Sequence, residues 1–401
     1  MPLDLQQSQE VERGALMSTG HIRQRSAGSW EIKWDAGTDP LTGRRRTRFA
    51  TVKGTKRDAQ RALRERLGAV DRGEIPDAGK MTLGQYLEQW LTAQESQVSA
   101  KTHERYSELV RGHLIPGLGA VKLGQLRAAT IEAFYADRLK SGRKNGKGGL
   151  SPRTVRHLDR VLNAALRRAR RLDLIASNPV ELVERPAVQP KEIEVLDPRQ
   201  AAMLLKTAEG TRLRTPLFLA LATGLRRGEL LALRWRDLDL DRGQLTVAQA
   251  LEQTTAHGLR FKAPKTRRSR RTVKIGPAVV EEMRAHKRRQ AEERLRAGLG
   301  KDELDLVFAT GAGAIVDPRT FSKEFARLVA KAGVPAVGIH ALRHTHFTEL
   351  LKAGIHPKVA ADRAGHASVA VTMDIYSHIV PGLQEGAALQ IDGALRTLLE
   401  Q

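Results

Sequence analysis

The chain has 401 residues, a length for two or three domains, and its 41% hydrophobic content is enough to build real cores. Its formal net charge is +23, with an excess of +5 over residues 1–80, +8 over 81–190 and +10 over 191–401. That spread excludes a basic tail on a neutral enzyme and favours a polyanionic partner touched along the whole length. Having no cysteine excludes disulfides, thiol catalysis and cysteine-ligated zinc. No apolar run approaches the roughly 18 residues of a membrane span, and Met1 to Gly20 lacks a signal peptide's basic start and apolar core; a soluble, cytoplasmic protein with no membrane partner is expected.

Residues 1–19 read as a disordered lead-in. Ser29-Trp30-Glu31-Ile32-Lys33-Trp34 alternates like a half-buried strand, Asp39 to Gly43 is a turn cluster, and Arg44 to Phe49 reads as the returning strand. A helix from Thr55 to Asp71 completes a small domain. So many like charges on a short sheet, Arg44, Arg45, Arg46 and Arg48 among them, suit phosphates. Residues 82–185 read as all helical. Leu83, Tyr86, Leu87, Trp90 and Leu91 make the apolar stripe of a packed helix, and further helices are expected over Ser99 to His113 and Thr130 to Lys140. Ser141 to Gly149, with Lys144 and Lys147, reads as a flexible basic loop. Ser151-Pro152 then opens a strong helix whose apolar face runs from Val155 to Leu166. Its arginines, with Arg153, Arg156 and Arg160 nearest the basic loop, suit DNA phosphates and guanine edges.

Asn178-Pro179 and Arg185 to Pro190 mark a linker. The third segment reads as helices over Pro198–Ala208, Thr215–Thr223 and Arg227–Trp235, strands within Gln244–Ala250 and Leu259–Ile275, then helices to the end. Five local signals lie in it. Thr223-Gly224-Leu225-Arg226-Arg227-Gly228-Glu229-Leu230 holds an arginine on a short connector between helices. Ala263-Pro264-Lys265-Thr266 puts a lysine near a hairpin tip, with Lys262 close enough to compete for its role. His340-Ala341-Leu342-Arg343 places two side chains on one helical face. Ala364-Gly365-His366 and Ile375-Tyr376-Ser377-His378 follow, ten residues separating His366 from Tyr376.

These residue types fit phosphodiester chemistry. Arginines neutralise non-bridging oxygens with fixed, bidentate donors, a tyrosine serves as nucleophile, and a lysine protonates a leaving oxygen. There are four tyrosines. Tyr86 and Tyr135 sit on apolar stripes and Tyr106 lies on a helix without catalytic company, which leaves Tyr376. A metal-dependent transposase would need a carboxylate triad, and the histidines His340, His344, His346, His366 and His378 have none beside them. A DNA-binding protein without catalysis would need no such array.

The order T-G-L-R-R-G-E-L, P-K-T, H-A-L-R-H, A-G-H and I-Y-S-H resembles the tyrosine recombinase family, especially phage and mobile-element integrases. The resemblance implies a multidomain chain, mainly α with small β-sheets. It implies a three-stranded, arm-type DNA-binding domain over 20–78, a helical core-binding domain over 79–188 and a mixed α+β catalytic domain over 189–384. The tail, 385–401, would dock through Ala388, Ile391, Leu395, Leu398 and Leu399 on a neighbouring protomer, the alternative being a helix that folds back on its own domain. It also implies a catalytic set of Arg226, Lys265, His340, Arg343, His366 and Tyr376; the adjacent Arg226 and Arg227 differ in that the family spacing selects Arg226. Strand exchange would need neither metal nor other cofactor. The implied partners are double-stranded DNA attachment sites, three further copies of the chain in a homotetramer, and a directionality factor or DNA-bending protein.

Overall fold

The computed structural model describes residues 20–38, 45–71, 81–143, 146–189, 193–263, 270–300, 302–366, 368–376 and 383–399. The chain divides into two compact units, Met1–Gln189 and Pro190–Gln401.

The first unit begins with an antiparallel sheet in the order β1-β2-β3, formed by β1 (Gly20–Ser26), β2 (Ser29–Thr38) and β3 (Arg45–Lys53). Alternation puts Ile32 and Trp34 on one face, where they pack against Ala59 and Leu63 of helix α1 (Lys56–Asp71) in a small core. The strand before Ser29 was not legible as one, because Gly20–Ser26 carries a single apolar residue, Ile22. Arg44 and the lead-in 1–19 lie outside the described residues.

A larger core follows. It is built by α2 (Leu83–Gln94), α3 (Ala100–Leu109), α4 (Ile115–Leu118), α5 (Ala128–Ser141) and α6 (Pro152–Arg171). The starts of α2, α3 and α6 are set by side-chain caps at Thr82, Ser99 and Ser151. The helix expected to stop at His113 continues: one π-helical turn, Val110–Leu114, joins α3 to α4, with the Ile115 N–H reaching Val110 O. Pro116 two residues into α4 has no N–H to donate, so the ladder is already broken there. The predicted stripe of α2 is buried, and Tyr86 donates from its hydroxyl to Ala165 O at 2.6 Å. The glycine-rich loop is folded back on itself, with the Arg143 N–H donating to Gly148 O and Arg143 Nε to Gly149 O. Arg185, expected in a linker, is tied to the buried Asp159 at 2.8 Å.

The second unit opens with α7 (Pro198–Thr207), α8 (Arg214–Thr223) and α9 (Arg227–Leu230). The last is four residues long, not the nine the pattern suggested. The chain leaves it because the N–H of Trp235 bonds to Asp305 O and Arg234 pairs with Asp237. A sheet in the order β4-β5-β8 joins β4 (Leu238–Asp239), β5 (Gln244–Val247) and β8 (Arg271–Lys274), burying the Leu245–Val273 pair; β6 (Ala250–Thr254) and β7 (Gly258–Lys262) form a separate hairpin. β7 and β8, the strands on either side of Lys265, thus belong to different sheets, and Lys265 itself lies outside the described residues. α10 (Pro277–Arg296), α11 (Pro318–Ala332), α12 (His340–Lys352), α13 (Pro357–Ala364), α14 (Val369–Tyr376) and α15 (Leu383–Leu399) complete the unit. α12 is anchored by its buried Thr345, whose Oγ1 accepts from the Leu196 N–H at 2.9 Å. On α15, Ile391, Leu395, Leu398 and Leu399 are exposed, as is Leu389. The fold is mainly α with small β-sheets, one of them three-stranded and N-terminal. Among the described residues no helix is long and apolar enough to cross a membrane.

Candidate active site

The first arginine motif works through a tight helix end. α8 stops on Gly224 in the left-handed region, φ 65°. A Cβ there would stand 2.7 Å from His346 Cδ2 and 2.8 Å from Phe347 Cε2, so both the backbone and the space require glycine. Arg226 follows in extended backbone as the residue preceding α9. Its N–H and Nη1 both reach the Glu229 carboxylate, at 2.9 and 2.8 Å. Glu229 is buried and is shared with a second cation, since Arg271 donates to its two oxygens at 2.9 and 3.2 Å. Burial alone would raise the carboxyl pKa. The hydrogen bonds and charges of Arg271, then Arg226, overcome that and hold it at about 2. Arg271 also donates from Nε to Arg363 O at 2.6 Å, tying β8 to the end of α13.

Arg343 lies on the first turn of α12 and is 5% exposed. It donates from Nη1 to Gly224 O at 2.6 Å and from Nη2 to Ala364 O at 2.7 Å, and its guanidinium lies over the Phe347 ring. Its Nη2 also stands 3.1 Å from His366 Nε2. Guanidinium only donates, so that nitrogen accepts, and the proton of the neutral ring is on Nδ1, 2.8 Å from Thr372 Oγ1. Desolvation first, then the cations Arg343, Arg226 and Arg271, push His366 down to about 4, which gathers three guanidiniums around one neutral imidazole. Thr372 is on α14, and position 376, the last of that helix, is one turn further on the same face.

His340 heads α12 and is also held below its ordinary pKa, by desolvation and by Arg343, Arg227 and Arg226. Arg227 turns away: its Nη1 donates to Ser322 Oγ at 2.6 Å and to Pro318 O. His346 is a packing residue, bonded to Leu221 O at 2.8 Å and edge-on to Phe347. Lys262, the competing lysine, is paired with the buried Glu252. Lys265 and His378 lie outside the described residues. The structure thus brings Arg226, His340, Arg343 and His366 into one electrostatic neighbourhood and carries the backbone of Tyr376 on the helix that bonds His366. Sequence reasoning passed over Glu229, Arg271 and Thr372. The signal for the first was there, a carboxylate three residues after Arg226; nothing local distinguished Arg271 within its basic run. A cavity of about 800 Å³ in the same unit, lined by Arg214, His286, Phe308 and Phe321 among others, contains none of these residues.

In the first unit, Arg153, Arg156 and Arg160 fall at i, i+3 and i+7 of α6, one face of the helix, and Arg153 and Arg160 are exposed. Among the described residues none of the three is ion-paired. With Arg105 of α3, Arg160 and Arg153 contribute to depressing the pKa of His157, after desolvation. Lys147 is exposed on the neighbouring loop, and Lys144 lies outside the described residues. Arg45, Arg46 and Arg48 belong to β3. The three other tyrosines are here. Tyr86 and Tyr135 are 3% and 2% exposed and burial raises both, Tyr86 to about 12. Tyr106 stacks on Trp90 with ring centroids 5.4 Å apart.

The Phage integrase family matches residues 194–381, and the phage integrase N-terminal SAM-like domain matches 82–138. The chain is 30% identical over 397 residues to an integrase of Streptomyces ambofaciens, across 93% of this chain and 98% of that one. It is 28% identical over 349 residues to a tyrosine recombinase XerC-like protein of Caldanaerobacter subterraneus subsp. tengcongensis, across 82% and 87%. A solved structure of the Tn1549 transposon integrase, in complex with a circular intermediate DNA, has the same fold. Its TM-score is 0.65 at 22% identity, covering 78% of this chain and 100% of that one. The chain belongs to the phage integrase family of tyrosine recombinases, enzymes that break and rejoin DNA.

Proposed function

We propose that the chain integrates or excises a mobile element at double-stranded DNA attachment sites, with Tyr376 as nucleophile. Its phenol oxygen attacks the scissile phosphorus, forming a 3′-phosphotyrosyl bond and releasing a 5′-hydroxyl. Arg226 and Arg343 face the charge developing on the non-bridging oxygens, with His366 steadying Arg343. Lys265 protonates the leaving 5′-oxygen, and His340 assists proton transfer at the tyrosine. The 5′-hydroxyl of a partner strand then attacks the phosphotyrosine and regenerates the phenol. The ester keeps the bond energy, so no cofactor or metal is needed.

The observation that carries this reading is Arg343 bonded to a neutral His366, itself bonded to the helix of Tyr376, with the charge of Arg226 also felt by that imidazole. The condition of the other tyrosines supports it: two are buried with raised pKa and the third is packed on Trp90. Lys262 is held by Glu252, which favours Lys265. Separate cores support a division of labour in which residues 20–78 read arm-type sites, 79–188 grip the core site through Lys144, Lys147, Arg153, Arg156 and Arg160, and 189–384 cut. Arg44, Arg45, Arg46 and Arg48 are the phosphate contacts of the first of these. Two exchanges through a four-way junction require four protomers. The exposed Ile391, Leu395, Leu398 and Leu399 of α15 suit docking on a neighbour, and a directionality factor or DNA-bending protein biases the outcome. The enzyme works in the cytoplasm.

Tyr376→Phe should bind DNA bordering its own gene with wild-type affinity and exchange no strands between two copies of that site. Strand exchange by this variant would overturn the assignment.

A further inference from the structure

Thr372 is 0% exposed inside the short helix α14, whose run Val369-Ala370-Val371-Thr372-Met373 is otherwise apolar. If packing alone decided this position, an aliphatic side chain of the same shape would fill it; a buried hydroxyl needs a partner. Its partner is His366 Nδ1 at 2.8 Å. The opposite nitrogen of that ring accepts from Arg343 at 3.1 Å. Arg343 is itself clamped on the carbonyls of Gly224 and Ala364. The backbone under the ring is also held: the His366 main-chain N–H bonds to Ala361 O at 3.1 Å, and the preceding Gly365 takes the left-handed φ of 63°. Three elements are thereby joined in series, α12 through Arg343, the end of α13 through His366, and α14 through Thr372. The last of these carries position 376 one turn beyond the bond, on the same face.

We propose that Thr372 is a positioning residue for strand cleavage: its hydroxyl holds the orientation of the His366 ring and sets the register of the Tyr376 helix against the arginine pair. This rests on the reading of the site given above. The hydroxyl accepts the Nδ1 proton, which leaves the Nε2 lone pair directed at Arg343. Without it the buried Nδ1 N–H loses its partner and the ring is no longer held in line with Arg343. Thr372 touches no reacting atom; it acts through His366 and through the helix that carries the nucleophile.

The test is single-turnover cleavage of a nicked half-site cut from the DNA bordering the gene, with the full-length chain. Thr372→Val keeps the shape and removes the bond. It should cleave about tenfold more slowly, the worth of one hydrogen bond, with unchanged gel-shift affinity and at most a small fall in melting temperature. Thr372→Ser, which restores the hydroxyl, should recover most of the rate. In a His366→Ala background, Thr372→Val should add no further loss, because the bond it removes is already gone. A wild-type rate for Thr372→Val, or an undiminished second loss in the His366→Ala background, would overturn the inference. A His366→Ala variant that itself cleaves at the wild-type rate would overturn the reading of the site instead.

Discussion

Glu229 lies between two guanidiniums and is buried with one of them, while the Arg226 side chain remains 38% exposed. A buried carboxylate left with a single cation would pull that cation inward. Sharing it with Arg271 neutralises it and leaves Arg226 at the surface, as the proposed phosphate contact requires. Arg343 is held differently, by backbone carbonyls of Gly224 and Ala364. The two arginines should therefore fail differently when removed. Each alanine substitution should slow cleavage by about 10²–10³, the worth of one lost transition-state donor, with DNA affinity nearly unchanged. Arg343→Ala should also lower the melting temperature, because it leaves two carbonyls without their donor; Arg226→Ala should not, since Arg271 still pairs Glu229. Single-turnover cleavage, gel shift and thermal melts on the same preparations check this. A parallel fall of affinity and rate would make these residues DNA anchors. At this scale the sequence was legible where a residue's chemistry is local, as in the order of Arg226, His340, Arg343 and His366. It was silent on Arg271 and Thr372, whose partners are 42 and 6 residues away and are brought to them only by the packing of β8, α9 and α14.

Helix ends do much of the placing. Ser99, Ser151 and Asp197 cap α3, α6 and α7, and these starts were readable because capping chemistry is short-range. Where an element ends for a tertiary reason, the pattern misled: α9 stops at Leu230 because the chain is drawn to Asp305, and α3 runs on through a π turn. Gly224 is the helix end that matters most for the site. Gly224→Ala should cost about 2 kcal/mol or more, from left-handed backbone and overpacking against His346 and Phe347, and should slow cleavage because its carbonyl holds Arg343. A variant with wild-type melting and rate would contradict the role given to this turn. On α6, replacing Arg153, Arg156 and Arg160 together by alanine should make the dependence of log affinity on log salt shallower, by about 0.9 for each phosphate that these arginines neutralise. An unchanged slope would leave that face merely solvated.

Across the whole chain, the charge spread already spoke for a polyanion met along its length, and the division near Gln189 separates a unit of packed helices and a small sheet from the unit with the arginine–histidine cluster. Family membership follows from the matches over 194–381 and 82–138 and from the 30% identical integrase. Sequence could give the class because five motifs in order are diagnostic together. It could not give the sharing of Glu229 or the bond that joins the helix of Tyr376 to His366, since both depend on distances in space. The proposed chemistry turns on one covalent bond, made by one of four tyrosines. The most direct measurement is to trap the wild-type chain on a nicked half-site in excess chelator, digest the adduct, and identify by mass spectrometry the peptide that carries the nucleotide. The expected result is a 3′-phosphotyrosyl nucleotide on Tyr376. A nucleotide on Tyr86, Tyr106 or Tyr135, or no adduct until a metal is restored, would contradict it.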